Sequence, residues 1–573
     1  MESSLAQAVK VKVVFAEGAG WGMFAVPLRE FVAGNLRQPL AILLAAVMLV
    51  LLIACANIAG LQLARASDRQ HENSVRVALG ASRPRLMAQP IMESVLLAVF
   101  GLGLGILFAV LAMPSLLLLA PVAIARNVDV HLNLRVLLFA SFVSVIAVLL
   151  CGTAPALYVA GSKFVLSLRE GGRSGTASRA SNRLRSGLVV VEISIAVFLL
   201  VGSGLLLRSL KAVERLSPGF DPQGVMTTNV ALPRTLYAAG PKQTAFWLAA
   251  EQNLKNLPGV TATAFVSNLP FAGGQGSASF QIKGQVLPPN SPGPHGHIDV
   301  ISPDYFRALG IPLVRGRAFT DSDRENTQPV AIVDETLAHQ YFAGQDVLTQ
   351  YISLGGGKTW AQIVGVVKHV KISALDAEAN EGFYYVPLTQ APSPGMALAV
   401  RTSLSHPESL TPAIQSAIAA VDSRQPIFDS KTLEQRIDES LGSRVFVVVL
   451  LGIFAGLSLF LAALGLYAVI AYLVRMRVRE IGIRIALGAQ RGKIAALVLR
   501  HGIEMAVGGC VLGVIVTFSA GQALSSMLYG VSLYNVPTVL LACALMAVLV
   551  LLASYMPVRR AISIEPVEAL RED

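Results

Sequence analysis

The chain has 573 residues, of which 54% are apolar and only 14% charged, against roughly a quarter charged in ordinary soluble domains. That composition argues for an integral membrane protein and against a soluble enzyme. The net charge of +11 does not favour a nucleic-acid binder, because residues 211–439 carry 17 basic and 20 acidic side chains, which leaves the positive excess beside the apolar runs.

Residues 1–38 are polar and of mixed charge, without the basic start and apolar core of a signal peptide. A helix needs about 20 mostly apolar residues to cross roughly 30 Å of hydrocarbon. Seven segments qualify: Pro39–Ala64, Ser94–Leu119, Val136–Ala160, Leu188–Leu207, Val445–Leu473, Met505–Met527 and Tyr534–Met556. The last two are divided by a turn signal, Tyr529-Gly530 followed by Asn535-Val536-Pro537. The four cysteines, Cys55, Cys151, Cys510 and Cys543, all lie in apolar runs, so neither a disulfide framework nor a thiolate metal site is available to the polar regions.

Lys and Arg set the orientation. They number five in 65–91, six in 161–187, seven in 474–500 and three after Pro557, but only two in 120–135 and none in 528–533. The rich loops belong in the cytoplasm, which places the C-terminus inside and residues 1–38 and 208–444 outside. An odd span count with a polar stretch outside leads us to expect a missing upstream helix and domain.

Between the fourth and fifth spans, Val225–Leu232 and Val260–Val266 read as strands around a helix at about Lys242–Asn256. Val330–Val333 and Ile363–Val367 are short β-branched runs, and Glu408–Val421 is an amphipathic helical stretch. Strands interleaved with helices predict an α+β or α/β domain. The loop Pro288-Pro289-Asn290-Ser291-Pro292-Gly293-Pro294 is expected to be mobile. Gly355-Gly356-Gly357-Lys358-Thr359 mimics a phosphate loop, but Ile352 occupies the position that needs the first glycine, so a hairpin turn is the better reading. His295 and His297 have no third ligand candidate nearby and read as solvated loop histidines. No catalytic constellation can be singled out from spacing, so the chain is expected not to be an enzyme and to hold no cofactor or metal.

The main internal signal is a repeat. Arg69-Gln-His-Glu-Asn-Ser-Val-Arg-Val-Ala-Leu-Gly-Ala-Ser-Arg83 returns 408 positions later as Arg477-Val-Arg-Glu-Ile-Gly-Ile-Arg-Ile-Ala-Leu-Gly-Ala-Gln-Arg491. Glu72 with Arg76, and Glu480 with Arg484, stand four apart in the favourable acid-before-base order on a helix. Gly80 and Gly488 supply a helix end, and Arg83 and Arg491 begin the next segment. Each copy is thus a short surface helix with a sharp corner, and two matching copies suit a soluble partner that engages both halves. Glu192, within the fourth span, is the only charge inside a span; structural pairing with Arg183 or Arg185 is favoured over a proton relay.

The Glu-x-x-x-Arg-x-Ala-Leu-Gly-Ala elbows, the Leu168-Arg169-Glu170 and Leu570-Arg571-Glu572 tails, and the opening Ser217-Pro218-Gly219-Phe220-Asp221-Pro222 together resemble the FtsX/MacB-type permeases of mechanotransmitting ABC systems. The doubled arrangement, with Pro27-Leu28-Arg29-Glu30 and Ala54-Cys55-Ala56-Asn57-Ile58-Ala59, is similar to the duplicated orphan permeases of acidobacterial type. The resemblance implies an α-helical polytopic membrane protein with about seven transmembrane helices and an α+β extracytoplasmic domain. Its parts would be a remnant of a first extracytoplasmic domain at 1–38, a three-helix permease module at 39–160 and a cytoplasmic linker at 161–187. A single helix at 188–207, a MacB-like periplasmic core domain at 211–440, a second module at 445–556 and a cytoplasmic tail at 557–573 would follow.

The chain has no phosphate loop, so ATP is expected only on a separate ABC ATPase dimer that engages the elbows and moves the external domain through Arg208–Leu216 and Leu433–Arg444. Periplasmic or outer-membrane partners and the lipid bilayer complete the expected environment, in a bacterial inner membrane. The alternative is a regulatory or scaffold membrane protein controlling an envelope enzyme.

Overall fold

The computed structural model describes residues 28–68, 76, 83–120, 133–161, 175–274, 276–286, 293–353, 358–378, 380–487, 489–521 and 528–563. The chain divides into two compact units, one holding Glu214–Leu441 and the other Val32–Val213 with Gly442–Asp573. Four long helices come first: α1 (Leu28–Asp68), α2 (Arg83–Leu119), α3 (Leu134–Gly161) and α4 (Gly175–Glu214).

The soluble unit alternates short strands with short helices. In chain order these are β1 (Val225–Ala231), α5 (Gly240–Lys255), β2 (Val260–Val266), β3 (Ser277–Ser279), β4 (Gln281–Ile282), β5 (His295–Ile301), α6 (Tyr305–Leu309), β6 (Leu313–Gly316) and β7 (Val330–Asp334). Then come α7 (Glu335–Tyr341), β8 (Tyr351–Ser353), β9 (Ala361–Val367), β10 (Phe383–Pro387), β11 (Gly395–Thr402), α8 (Thr411–Ala419) and β12 (Ile427–Thr432). They form one mixed sheet in the order β12-β1-β11-β2-β5-β10-β7-β9-β8-β4, with β3 on β5 and β6 on β9. The pairs β5–β10 and β7–β9 are parallel, which is why helices and long connections separate those strands in sequence.

Apolar burial explains the layers. On α5, Phe246, Trp247, Ala250 and Leu254 recur at helical spacing and pack with Phe265 and Leu398 of the sheet. The buried Trp247 indole is satisfied by donating Nε1–H to the Ser393 carbonyl at 2.9 Å. The Ser217–Pro222 stretch acts as a clasp. Gly219 has φ +89°, and a β-carbon there would collide with the His369 carbonyl. Phe220 is buried beside Phe271, and the Asp221 carboxylate accepts from Arg401 Nη1 at 2.9 Å.

The glycine-rich bait falls between β8 and β9, which pair antiparallel through Tyr351↔Gln362 and Ile352↔Ala361, as the hairpin reading requires. Residues 354–357 themselves lie outside the described residues, as does most of the proline-rich loop at 288–294.

The helical unit resumes with α9 (Leu433–Met476), α10 (Val478–Ala486), α11 (Arg491–Ser519) and α12 (Val536–Ile562). Six helices, α1, α2, α4, α9, α11 and α12, are long and apolar enough to cross a membrane among the described residues. The expected span Val136–Ala160 falls on α3, whose side chains are described only as far as Ala147. The expected span Met505–Met527 falls on α11, which starts earlier, at Arg491, and ends at Ser519, while residues 522–527 lie outside the described residues. Helix α11 runs through Arg500 and Glu504, which pair at 2.9 Å one helical turn apart, so charges that looked like a loop are carried on the helix.

Helix α4 is the centre of this unit. Val189, Ile193, Val197 and Leu205 pack with Leu466 and Ile470 of α9, Met505 of α11 and Met546 of α12. Gly509 and Gly513, one turn apart on α11, let that helix approach Ile193 and Val197 closely. Helix α1 joins through Leu43 and Ala46, which meet Leu199 and Leu206 of α4 and Val447 and Leu451 of α9. On α2, by contrast, Phe100, Phe108 and Leu118 are exposed, as expected of a lipid-facing surface.

Candidate functional site: a surface elbow and an intramembrane carboxyl

The second elbow is α10. Ile481 is buried and packs into the helical core, which anchors the element, while Glu480, Arg484, Ile483 and Leu487 face outward. Arg484 Nη2 and Glu480 Oε1 lie 2.6 Å apart, with both side chains about half exposed. Leu487 is 82% exposed, an apolar knob immediately after the helix. Arg491 is the first residue of α11, as expected. Gly488 lies outside the described residues. In the first elbow only Arg76 is described, and it is exposed; Arg83 opens the backbone of α2, and Glu72 and Gly80 lie outside the described residues.

Glu192 is 1% exposed on α4. The expected pairing with arginine is not what the structure places there. Arg185 is itself buried, donates from Nη2 to the Leu63 carbonyl at 2.5 Å, and lies 4.0 Å from the centre of the Tyr472 ring. Arg183 forms no ion pair with Glu192 among the described residues, and Glu192 Oε2 is buried without a hydrogen-bond partner. Two turns of helix separate Glu192 from Arg185, about 10 Å by helical rise, which is enough for the arginine to find nearer acceptors.

The carboxyl lies instead against Gly465 of α9 and beside Asn57 of α1, whose Nδ2 donates to the Leu461 carbonyl at 2.9 Å. Asn57 and Gly465 are themselves 408 positions apart, the offset of the elbow repeat. The two copies of the repeat therefore meet at equivalent points on equivalent helices, and Glu192 is inserted where they meet. Asn57 and Gly465 escaped the sequence reading as site residues, although extending the repeat offset back from the elbows would have paired them. The groove here encloses about 480 Å³, with Leu61, Val189, Leu464 and Ala468 among its apolar walls and Arg475 and Arg560 toward one end.

In the soluble unit the structure changes the reading of two histidines. His295 and His297 lie on β5, not in a solvated loop. His297 is 16% exposed, lies 3.4 Å from Glu381 through Nε2, and packs on Phe383. The β-branched and aromatic partners of β5 draw this segment into the sheet despite its glycine. Nearby, His369 Nδ1 and Asp334 Oδ2 are 2.5 Å apart, and Asp334 also caps α7 by accepting from Leu337 N at 2.8 Å. Among the described residues no group of three or more His, Cys, Asp or Glu side chains is placed to hold a metal ion.

Comparison with known families divides the chain in a similar way, except that α4 of the helical unit falls with the soluble unit. The MacB-like periplasmic core domain matches residues 186–421, and the FtsX-like permease C-terminal domain matches twice, at 44–164 and 452–566. The chain is 25% identical over 294 residues to the macrolide export ATP-binding/permease protein MacB 2 of Aeromonas hydrophila, covering 48% of this chain and 43% of that protein. It is 26% identical over 283 residues to the pyoverdine export ATP-binding/permease protein PvdT of Pseudomonas entomophila, covering 46% of this chain and 41% of that one. It thus spans less than half the length of either relative. The ABC transporter permease YknZ of Bacillus subtilis is 23% identical over 418 residues, 71% of this chain and 100% of that one. Among solved structures, the periplasmic region of MacB from Actinobacillus actinomycetemcomitans matches 40% of this chain and 98% of its own at 15% identity, with a TM-score of 0.26. With a periplasmic core domain and two copies of the permease domain accounting for most of its length, this multi-pass membrane protein belongs to the FtsX/MacB-type ABC transporter permeases.

Proposed function

We propose that the chain is the permease subunit of a mechanotransmitting export system in the bacterial inner membrane, with its elbows and C-terminus in the cytoplasm. A separate ABC ATPase dimer grips the two elbows, and closure of the dimer moves the permease helices and, through them, the extracytoplasmic domain. The observation that carries this reading is the build of α10. Ile481 fixes the element in the helical core, while Glu480, Arg484 and Leu487 stay exposed for a partner. A rigid element anchored on one side and free on the other passes on a push applied to it. Export of a macrolide-like or pyoverdine-like compound, named for the relatives, is the corresponding activity for this chain.

The test is reconstitution with the cognate ATPase. Replacing Glu480 and Arg484 by alanine should lower permease-stimulated ATP hydrolysis at least tenfold while the complex remains folded. Unchanged stimulation would overturn the coupling. Export unaffected by gene deletion, together with capture of an envelope hydrolase by residues 211–440, would support the regulatory alternative.

A further inference from the structure

We propose that the groove around Glu192 is a binding site for an amphipathic amine, an apolar chain ending in a protonated nitrogen, which enters sideways from the lipid. The groove lies within the helical unit, bounded by α1, α4 and α9, and its enclosed volume of about 480 Å³ falls within the roughly 300–1,000 Å³ of small-molecule sites. Its walls are mostly apolar, and Leu61 and Leu464 at its side are 53% and 47% exposed, so the opening faces the surface that a bilayer covers. Along α9 it runs from Leu461 to Arg475, about 21 Å by helical rise, a shape suited to an extended chain.

The polar end decides the ligand. Glu192 is 1% exposed and its Oε2 has no hydrogen-bond partner among the described residues, although an unpaired buried carboxylate is costly. In the structure the Asn57 Nδ2 donates to the Leu461 carbonyl, and it is the acceptor Oδ1 that shares the space at Gly465 with Glu192 Oε2. A ligand ammonium supplies both the missing donor and the missing charge.

The cations nearby do not reverse this preference. Arg475 and Arg560 are exposed and so solvated, and Arg475 stands ten residues from Gly465, about 15 Å along the helix. Arg185 is buried, but its guanidinium is directed at Leu63 and Tyr472. At equal dielectric, an ammonium about 3 Å from the carboxylate is attracted roughly three times as strongly as it is repelled by a charge about 10 Å away. This inference is independent of the ATPase reading, since binding requires only the chain and a membrane.

The experiment uses the full chain in lipid nanodiscs with dodecylamine carrying a terminal diazirine. Labelling is read by mass spectrometry on 56–64 and 461–472, with α2 as the lipid-facing reference. Labelling of the groove should exceed that of α2 and be displaced by unlabelled dodecylamine at least tenfold more effectively than by dodecanol. Glu192→Gln should weaken this displacement at least tenfold. Gly60→Leu should also abolish groove labelling while leaving Glu192 in place, because Gly60 lines the groove with open space beside it and the substitution suits a helix. Equal competition by dodecanol, or displacement by dodecylamine unchanged in Glu192→Gln, would overturn the proposal and leave a groove that takes any apolar chain.

Discussion

Gly465 and the carboxyl of Glu192 are so close that no β-carbon fits between them; one built at Gly465 would collide with Glu192 Oε2 and with Asn57 Oδ1. Gly465→Ala therefore forces two side chains to swing away. Overpacking of this kind costs about 1–3 kcal/mol, partly offset by the roughly 1 kcal/mol that alanine gains over glycine in a helix. Gly456→Ala, on the same helix with open space around it, should be neutral or stabilising. Thermal unfolding in detergent should rank Gly456→Ala above wild type or level with it, and Gly465→Ala below both. Equal melting temperatures for the two variants would contradict the close contact.

Leu487 tests the elbow without touching the fold. At 82% exposure, its replacement by aspartate should change stability by less than about 0.5 kcal/mol. Affinity for the ATPase should fall at least tenfold. Sedimentation or fluorescence titration of the purified partners measures the second effect, and circular dichroism melting the first.

The orientation can be read chemically. Val286, 92% exposed in the soluble unit, and Gln490, in the second elbow, are predicted to face opposite sides of the membrane. In a cysteine-free background, Val286→Cys should react with an impermeant maleimide on spheroplasts, and Gln490→Cys only after lysis.

Asp299 gives the soluble unit a pH dependence. Burial raises its carboxyl to about 7 from 3.8, despite hydrogen bonds from Asn268 and Ser267 that favour the ionised form. Between about pH 4 and 7 the folded chain therefore holds a proton that the unfolded chain has released. Stability falls as pH rises through that window, by at most about 1.4 kcal/mol per unit, and levels off above it. Hydrogen exchange at β5 amides, corrected for intrinsic rates, should lose protection from pH 4.5 to 7, and Asp299→Asn should remove the slope.

Arg436 is 3% exposed, with Nε donating to Thr227 Oγ1 at 2.7 Å and Nη1 to Asp429 Oδ2 at 2.8 Å. Arg436→Met leaves Asp429, about a third exposed, with Lys431 at 3.4 Å as its remaining cation, and should destabilise the soluble unit by about 1–3 kcal/mol. Adding Asp429→Asn should recover part of the loss in urea-dependent proteolysis of the full chain.

Where the chain's local pattern carried the information, sequence and structure agree. β1, α5 and β2 fall within a few residues of expectation because apolar periodicity and the Pro258-Gly259 turn are local signals. β11 is harder to see. Its Met396–Val400 core is apolar on both faces because Met396, Leu398 and Val400 pack in the cluster that holds α5 and α8, and Ala397 and Ala399 in the one that holds α6, so it lacks the alternation that marks a half-buried strand. β5 was hidden by its glycine and flanking prolines, and its main partner, β10, lies more than 80 residues away.

By itself the sequence determined the membrane class, the doubled elbows and the mixed soluble domain, because hydropathy, charge bias and repetition are properties of the chain that need no partner in space. Only the tertiary structure decided what Glu192 faces. Helix α9 brings a glycine to the carboxyl, α1 brings an asparagine, and the arginine two turns away turns to a carbonyl and an aromatic ring. Those neighbours come from segments more than 100 residues apart, and helix packing, not spacing along the chain, sets which of them meet.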